Sequence, residues 1–320
     1  MRAQLPIELQ AVYQKYRSLD QGKVADYIPE LTKADPRWFG IAIATIDGDV
    51  FECGDSAQAF TIQSISKPFA YGLALEDHGV DHVLSKIGVE PSGEAFNSII
   101  LDQESKRPFN PLINTGAIAT TDLIKGVDYT ERAARLIRAL SRYAGRELDV
   151  DEAVFASERA TGHRNRAIAY LMLSFGMLSD NLEETLELYF KQCSVLVTCR
   201  DLAIMGATLA NWGLNPISGE RALEQTYVKD VLSVMLSCGM YDYSGEWAYR
   251  IGLPAKSGVG GGIVSVVPGQ GAIATFSPPL DEKGNSVRGI KVLETLADRY
   301  GLHYLEAVFR GNTLRRAENR

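Results

Sequence analysis

The sequence predicts an α+β fold: an antiparallel sheet built from the two ends of the chain, flanked by helices and joined to an all-helical subdomain. Three observations lead there. β-favouring runs gather near the N-terminal end, from Trp38 to Cys53, and return only after residue 246. The stretch from about 66 to 240 carries mainly helical periodicity. A closing amphipathic segment, Asn285 to Arg299, can cover one face of the sheet.

Residues 7 to 18 read as an amphipathic helix, and a second helical segment near 22 to 32 carries Tyr27. Trp38 to Ile46 is β-rich. Asp47-Gly48 is a two-residue hairpin signal, and Val50 to Cys53 is the return strand. A further apolar, β-favouring segment runs into Gln63, and a helical pattern begins at about Ser64. Residues 88 to 114, with Pro91, Gly93, Pro108 and Pro111, read as loop.

Thr130 to Tyr143 places Ala133, Leu136, Ile137 and Leu140 on one face with arginines opposite. Ala167 to Leu178 is almost wholly apolar, which predicts a central, buried helix. Leu182 to Cys193, Arg200 to Trp212 and Leu223 to Leu236 continue the helical series. Trp247 to Ile251 is expected as a strand, followed by Gly262 to Val267 and Gly271 to Phe276 across a Pro-Gly-Gln-Gly turn. The chain is expected to form one domain over 1–320. Its sheet part covers about 1–65 and 245–320, and its helical part about 66–244.

The 320 residues carry a net charge of -7, which argues against nucleic acid as a partner. The basic tail, Arg310 to Arg320, reads as a frayed end. Ser257 to Leu280 has no charged residue, but its glycines and Pro268, Pro278 and Pro279 fit short buried strands better than a membrane helix. No membrane association is expected. Four cysteines (53, 193, 199, 238) form no Cys-x-x-Cys pair and read as buried packing groups. The four histidines show no ligand spacing, so no metal site and no cofactor is expected. Few cysteines and no hydrophobic leader predict a cytoplasmic location.

Chemistry is suggested by Ser64-Ile65-Ser66-Lys67. On a helix, Ser64 and Lys67 share a face, so a hydroxyl and an amine can act as nucleophile and base. The helix N-terminus favours the negative charge that develops on attack. Alone the motif is weak, since a chain of this size holds about one match by chance. Far downstream, Lys256-Ser257-Gly258 opens a glycine-rich strand. Such a strand can line a cleft, offer backbone N–H groups to a substrate oxygen and add positive potential through Lys256.

Around these two motifs the sequence resembles the serine-dependent glutaminases, found in bacteria and as the catalytic domain of animal kidney-type enzymes. The resemblance covers about residues 22 to 300. It is carried by Phe60–Lys67, Asn110-Pro111-Leu112-Ile113-Asn114, Ser157–Asn165, Tyr189–Ser194, Cys238–Asp242 and Leu253–Gly262. It implies a serine β-lactamase/penicillin-binding-protein-like fold and hydrolysis of L-glutamine to L-glutamate and ammonia. It also implies a homodimer or homotetramer. It assigns substrate contacts to Ser64, Asn114, Glu158, Asn165, Tyr189, Tyr241 and Val259, with Tyr27 at the cleft mouth. Two departures are small: Thr115 stands where the family often has alanine, and Pro68 where many bacterial members have valine.

Each assigned group has a physical task. Glu158 is the natural counter-ion for the substrate ammonium, and Asn114, Asn165 and a tyrosine can bond the carboxylate. The N–H groups of Ser64 and Val259 are expected to form the oxyanion hole of a γ-glutamyl-serine pathway. The base is either Lys67, if its pKa falls toward neutrality, or a tyrosinate. Of the tyrosines, Tyr241 is favoured as base and Tyr189 as donor to the leaving group. His163, flanked by Arg164 and Arg166, is expected to be structural. Two alternatives share part of this pattern. One is another β-lactamase-like serine amidohydrolase or esterase, which β-lactam turnover without ammonia release would reveal. The other is a non-enzymatic glutamine-binding or scaffold protein that kept the fold; unchanged ammonia production in Ser64→Ala would count against the serine mechanism.

Overall fold

The Asp47-Gly48 signal is met by a hairpin: β1 (Gly40–Thr45) and β2 (Val50–Gly54) pair antiparallel, with Ile41 opposite Cys53. The structure, a computed structural model, describes residues 4–94 and 98–310, with side chains to 307. The basic tail from 311 onward lies outside the described residues. β3 (Phe60–Thr61) and β4 (Leu196–Val197) form a separate two-stranded ribbon. The late strands β5 (Ala255–Ser257), β6 (Gly262–Val267) and β7 (Gly271–Phe276) complete an antiparallel five-stranded sheet in the order β2-β1-β7-β6-β5.

The helices are α1 (Leu5–Tyr16), α2 (Lys67–His78), α3 (Val80–Lys86), α4 (Asn114–Asp122), α5 (Tyr129–Ala144), α6 (Glu152–Thr161) and α7 (His163–Ser174). They continue as α8 (Leu182–Cys193), α9 (Cys199–Ala210), α10 (Gln225–Cys238), α11 (Ser244–Arg250), α12 (Val287–Tyr300) and α13 (Tyr304–Arg310).

Both faces of the central strands are buried, and the period-2 alternation sorts their side chains by size. Ile41, Ile43, Ile263 and Ile273 point toward α1 and α12, where Leu9, Val12, Val292, Leu293 and Leu296 meet them. Ala42, Ala44, Ala272 and Ala274 belong to the opposite core, which runs on into the helical block. There α9 lies directly on β1, β6 and β7. The alanines let its backbone come close. Thr198 and Asp201 close a capping box at the start of α9, and Arg146 pairs with Asp201 at 2.6 Å.

Three expectations change. Trp247 to Ile251 is not a strand: most of it belongs to α11, with the Trp247 ring fully buried and its indole N–H bonded to Leu253 O at 2.8 Å. Residues 22–28 are irregular, bridged at Lys23 to Leu280, and only Pro29–Lys33 forms a short 3-10 helix. Pro29 stops any earlier helix, because the residue before proline is pushed out of the helical region. The apolar stretch at Ala167–Leu178 is not central. α7 lies at the surface, with Tyr170 54% exposed and Phe175, just after its end, 43% exposed, whereas α4 and α9 are buried on nearly all sides. An all-round apolar sequence identifies a helix without saying which neighbours cover it. Among the described residues, no helix is long and apolar enough to cross a membrane.

Candidate active site

The site begins where β3 ends. Ile62 N–H bonds Val195 O at 2.8 Å, completing the ribbon, and the chain then turns at Gln63, whose φ is +49°. A non-glycine residue in this left-handed region is uncommon and carries strain. The turn enters a 3-10 helix, Gln63–Ser66, which runs into α2 at Lys67. Ser64 and Lys67 are therefore one turn apart, as the motif predicts, although the first turn is tighter than an α-helix. Pro68 sits in the opening turn of α2, where its missing N–H costs nothing.

Lys67 is buried to 1% exposure. Its Nζ donates to Asn114 Oδ1 at 2.7 Å and to Leu112 O at 3.3 Å. Burial pulls its pKa down to about 8, against the opposing pull of Cys193 and Glu158. Because Lys67 claims the carbonyl of Asn114, the Asn114 amide must turn its Nδ2 the other way. It donates to Asn165 Oδ1, on α7, at 3.0 Å. That leaves the Nδ2 of Asn165 to face onward. The Tyr189 hydroxyl, on α8, also reaches Asn114 Oδ1, at 3.4 Å.

Glu158 projects from α6 and is 2% exposed. Its Oε2 has no hydrogen-bond partner among the described residues. Burial pushes its pKa up to about 8, and Lys67 is near enough to pull it part of the way back. A carboxyl kept dry and unpaired is costly unless a cation joins it.

Tyr241 follows α10 and adopts φ +57°, a second left-handed non-glycine residue. Its hydroxyl donates to Ser257 O at 3.0 Å and lies in hydrogen-bonding range of the Ser64 side chain. Burial, only partly offset by the neighbouring Ser64 and Ser257 side chains, holds its pKa well above the ordinary phenol value. Lys256 ends 4.2 Å from the Tyr241 ring centre and bonds Gly239 O at 3.1 Å and Ser257 O at 2.6 Å. It is fully buried beneath that ring rather than at an open cleft edge.

Val259 lies in the loop between β5 and β6. A Cβ on Gly258 would stand 3.0 Å from Ile62 O, and one on Gly260 2.8 Å from Thr61 O. The two glycines thus let this loop lie against the backbone that leads into Ser64. Val259 also packs with Ile28, Leu31 and Leu280. Tyr27, from the same N-terminal segment, is half exposed, yet its hydroxyl turns inward to Gln63 Oε1 at 3.3 Å.

The sequence-predicted residues therefore converge on one place. Ser64, Lys67, Asn114, Glu158, Asn165, Tyr189, Tyr241, Val259 and Tyr27 surround it, and Lys256 supports it from below. His163 is exposed at the start of α7. Thr115 is buried, with its hydroxyl unbonded among the described residues. The sequence reading missed two groups. Gln63 meets Tyr27, and Cys193 is not simple packing: its thiol lies beside the Tyr189 hydroxyl and within electrostatic reach of Glu158 and Lys67. The sequence signals for Cys193 were its place in the Tyr189–Ser194 block and its spacing four residues after Tyr189, one helical turn on.

Comparison with known proteins gives a consistent result. The family model described as Glutaminase matches residues 22–305. A glutaminase of Trichormus variabilis is 63% identical over 297 residues, covering 93% of this chain and 89% of the relative. A glutaminase of Microcystis aeruginosa is 62% identical, covering 92% and 87%. Among solved structures, the probable glutaminase ybaS superimposes with a TM-score of 0.91 at 44% identity, covering 93% of this chain and 97% of that one. A Bacillus glutaminase follows at 0.86 and 36%, covering 93% and 99%.

Proposed function

This chain belongs to the glutaminase family and hydrolyses L-glutamine to L-glutamate and ammonia; we propose that it does so through a γ-glutamyl ester on Ser64. The observation that carries the reading is Glu158 Oε2, buried with no hydrogen-bond partner among the described residues and within electrostatic reach of Lys67 and Tyr189. Such a carboxylate suits the α-ammonium of an amino acid. The Nδ2 of Asn165, turned outward by the Lys67–Asn114–Asn165 chain, suits the α-carboxylate.

Lys67 is the proposed base. A neutral amine has two N–H donors and one lone pair. Asn114 Oδ1 and Leu112 O take the two donors, which leaves the lone pair for the Ser64 proton. Its lowered pKa, about 8, supports that state near neutral pH. Burial works against a tyrosinate at Tyr241. The neutral phenol instead holds the Ser64 hydroxyl and passes protons along the chain of bonds. Tyr189, next to Asn114, is the proposed donor to departing ammonia. The N–H groups of Ser64 and Val259 receive the oxyanion, and water then cleaves the ester with the proton path reversed.

The reading extends to a cytoplasmic homodimer or homotetramer, which light scattering after gel filtration tests. The mechanism is tested by acid-quenching the enzyme during turnover and digesting it. A γ-glutamyl mass on the Ser64 peptide is expected, with ammonia release lost in Ser64→Ala. Full activity in that variant would remove the serine pathway.

A further inference from the structure

The peptide that joins Gln63 to Ser64 has two edges. One carries the Ser64 N–H, a proposed oxyanion donor. The other carries the Gln63 carbonyl, and because the unit is planar and trans, fixing one edge aims the other. The Ser66 hydroxyl donates to that carbonyl at 2.7 Å. Serine back-bonding of this kind is common within helices and would by itself mean little.

Here the serine is itself held from another element. The Ser66 oxygen accepts from Gln192 Nε2, on α8, at 3.0 Å. The Gln192 carbonyl lies 3.2 Å from the Thr121 hydroxyl, on α4, which shares its one proton with Ala117 O at 2.9 Å. Gln192, Ser66 and Thr121 are all fully buried. No proposed substrate contact or proton transfer uses any of them, and a polar run through an apolar core is costly unless it serves a purpose. Its donors point one way, from Gln192 through Ser66 to the Gln63 carbonyl. Bonds aligned in this sense reinforce one another and make the N–H on the far edge of the last peptide a stronger donor.

We propose that Gln192 and Ser66 are positioning residues that aim and polarise the Ser64 N–H in the oxyanion hole, holding the strained Gln63 turn from α8. The inference rests on the Ser64 reading given above. It also accounts for φ +49° at Gln63. A turn that would relax on its own is tied through its carbonyl to a helix carrying Tyr189, so the nucleophile and the proposed leaving-group donor share one frame.

The test uses Gln192→Met, Ser66→Ala and the double variant, with steady-state kinetics on glutamine and thermal melts. Removing an oxyanion donor outright costs roughly 10²- to 10³-fold, so misaiming one should lower kcat by about 10- to 100-fold. KM should stay within about twofold, because substrate ammonium and carboxylate contacts are untouched. The double variant should be no slower than the slower single one, since both changes break one chain. Wild-type kcat in both folded single variants would overturn the inference, as would a loss confined to KM, or independent multiplying losses. If one variant fails to fold, the other decides alone, because each breaks the chain from a different element. A Ser64→Ala enzyme that stays active defeats the serine reading itself. An inactive Ser64→Ala beside fully active Gln192 and Ser66 variants defeats only the positioning role.

Discussion

Lys67 Nζ lies 2.7 Å from Asn114 Oδ1, so the amine at the centre of the site rests against a neutral amide rather than a carboxylate. That choice keeps the lysine easy to deprotonate. Asn114→Asp replaces the amide with a like-shaped anion and should drive the Lys67 pKa up from about 8. The expected result is a folded enzyme with kcat reduced about 100-fold at neutral pH, regaining part of its rate as pH rises. A pH–rate profile checks this.

The ligand-free stability should depend on pH through Glu158. Its folded pKa, about 8, is raised above the ordinary carboxyl value by burial. Between the unfolded value, about 4.3, and 8 the folded chain holds a proton that the unfolded chain has released. Stability from this group is therefore complete at low pH and is lost as pH climbs through about 8. Glu158→Gln cannot titrate, so its melting temperature should gain on wild type from pH 5 to pH 8.5 by roughly a few degrees. The same variant should raise KM for glutamine at least about tenfold. Differential scanning fluorimetry across pH, beside kinetics, checks both.

The wild-type kcat/KM should show an acid limb at an apparent value near 8. The proposed mechanism asks for an ionised Glu158 and a neutral Lys67, and burial brings both to about 8 in the free enzyme. Activity measured from pH 6 to 9.5 should therefore rise with pH across the lower half of that range.

Removing the Tyr241 hydroxyl by Tyr241→Phe takes away bonds to Ser64 and to the Ser257 carbonyl. A fall in kcat of about 10²-fold or more is expected, with a smaller change in KM. Lys256→Met should act on the same group indirectly. It takes one of two donors from each of two buried carbonyls, leaving Gly239 O to the Ser257 N–H and Ser257 O to the Tyr241 hydroxyl, and should cost about 0.5–1.5 kcal/mol of stability in a denaturant melt.

On the sheet, Ala274→Leu should destabilise strongly. Ala274 is fully buried on the face that meets α9, and its carbonyl accepts from Cys199 Sγ at 3.2 Å. Extra methylenes there have no space without moving the helix, which typically costs about 1–3 kcal/mol. Urea unfolding followed by circular dichroism measures it.

The β1–β2 hairpin, the paired late strands and the helical block were legible because local chemistry governs them: Asp47-Gly48, Pro268-Gly269-Gln270-Gly271 and the spaced apolar positions of α5. Ser64 and Lys256 were legible as motifs, and Glu158, Asn114 and Asn165 through family resemblance. The helix at Trp247 was not, because β-favouring aromatics were overruled by burial of the indole and its bond to Leu253 O. Nor was the surface position of α7, since composition does not say what lies beside a helix. Gln192 escaped notice for a different reason. Its importance lies in what its two amide ends touch, Ser66 and Thr121, and those partners are 126 and 71 positions away in sequence.

Gln63 and Tyr241 both hold a left-handed backbone, and both touch the neighbourhood of Ser64. Random libraries screened only for heat resistance should accumulate glycine or asparagine at these two positions, where such residues sit without strain. The survivors would be sturdier and slower, because the conformations that hinder endurance are the ones that frame the proposed nucleophile.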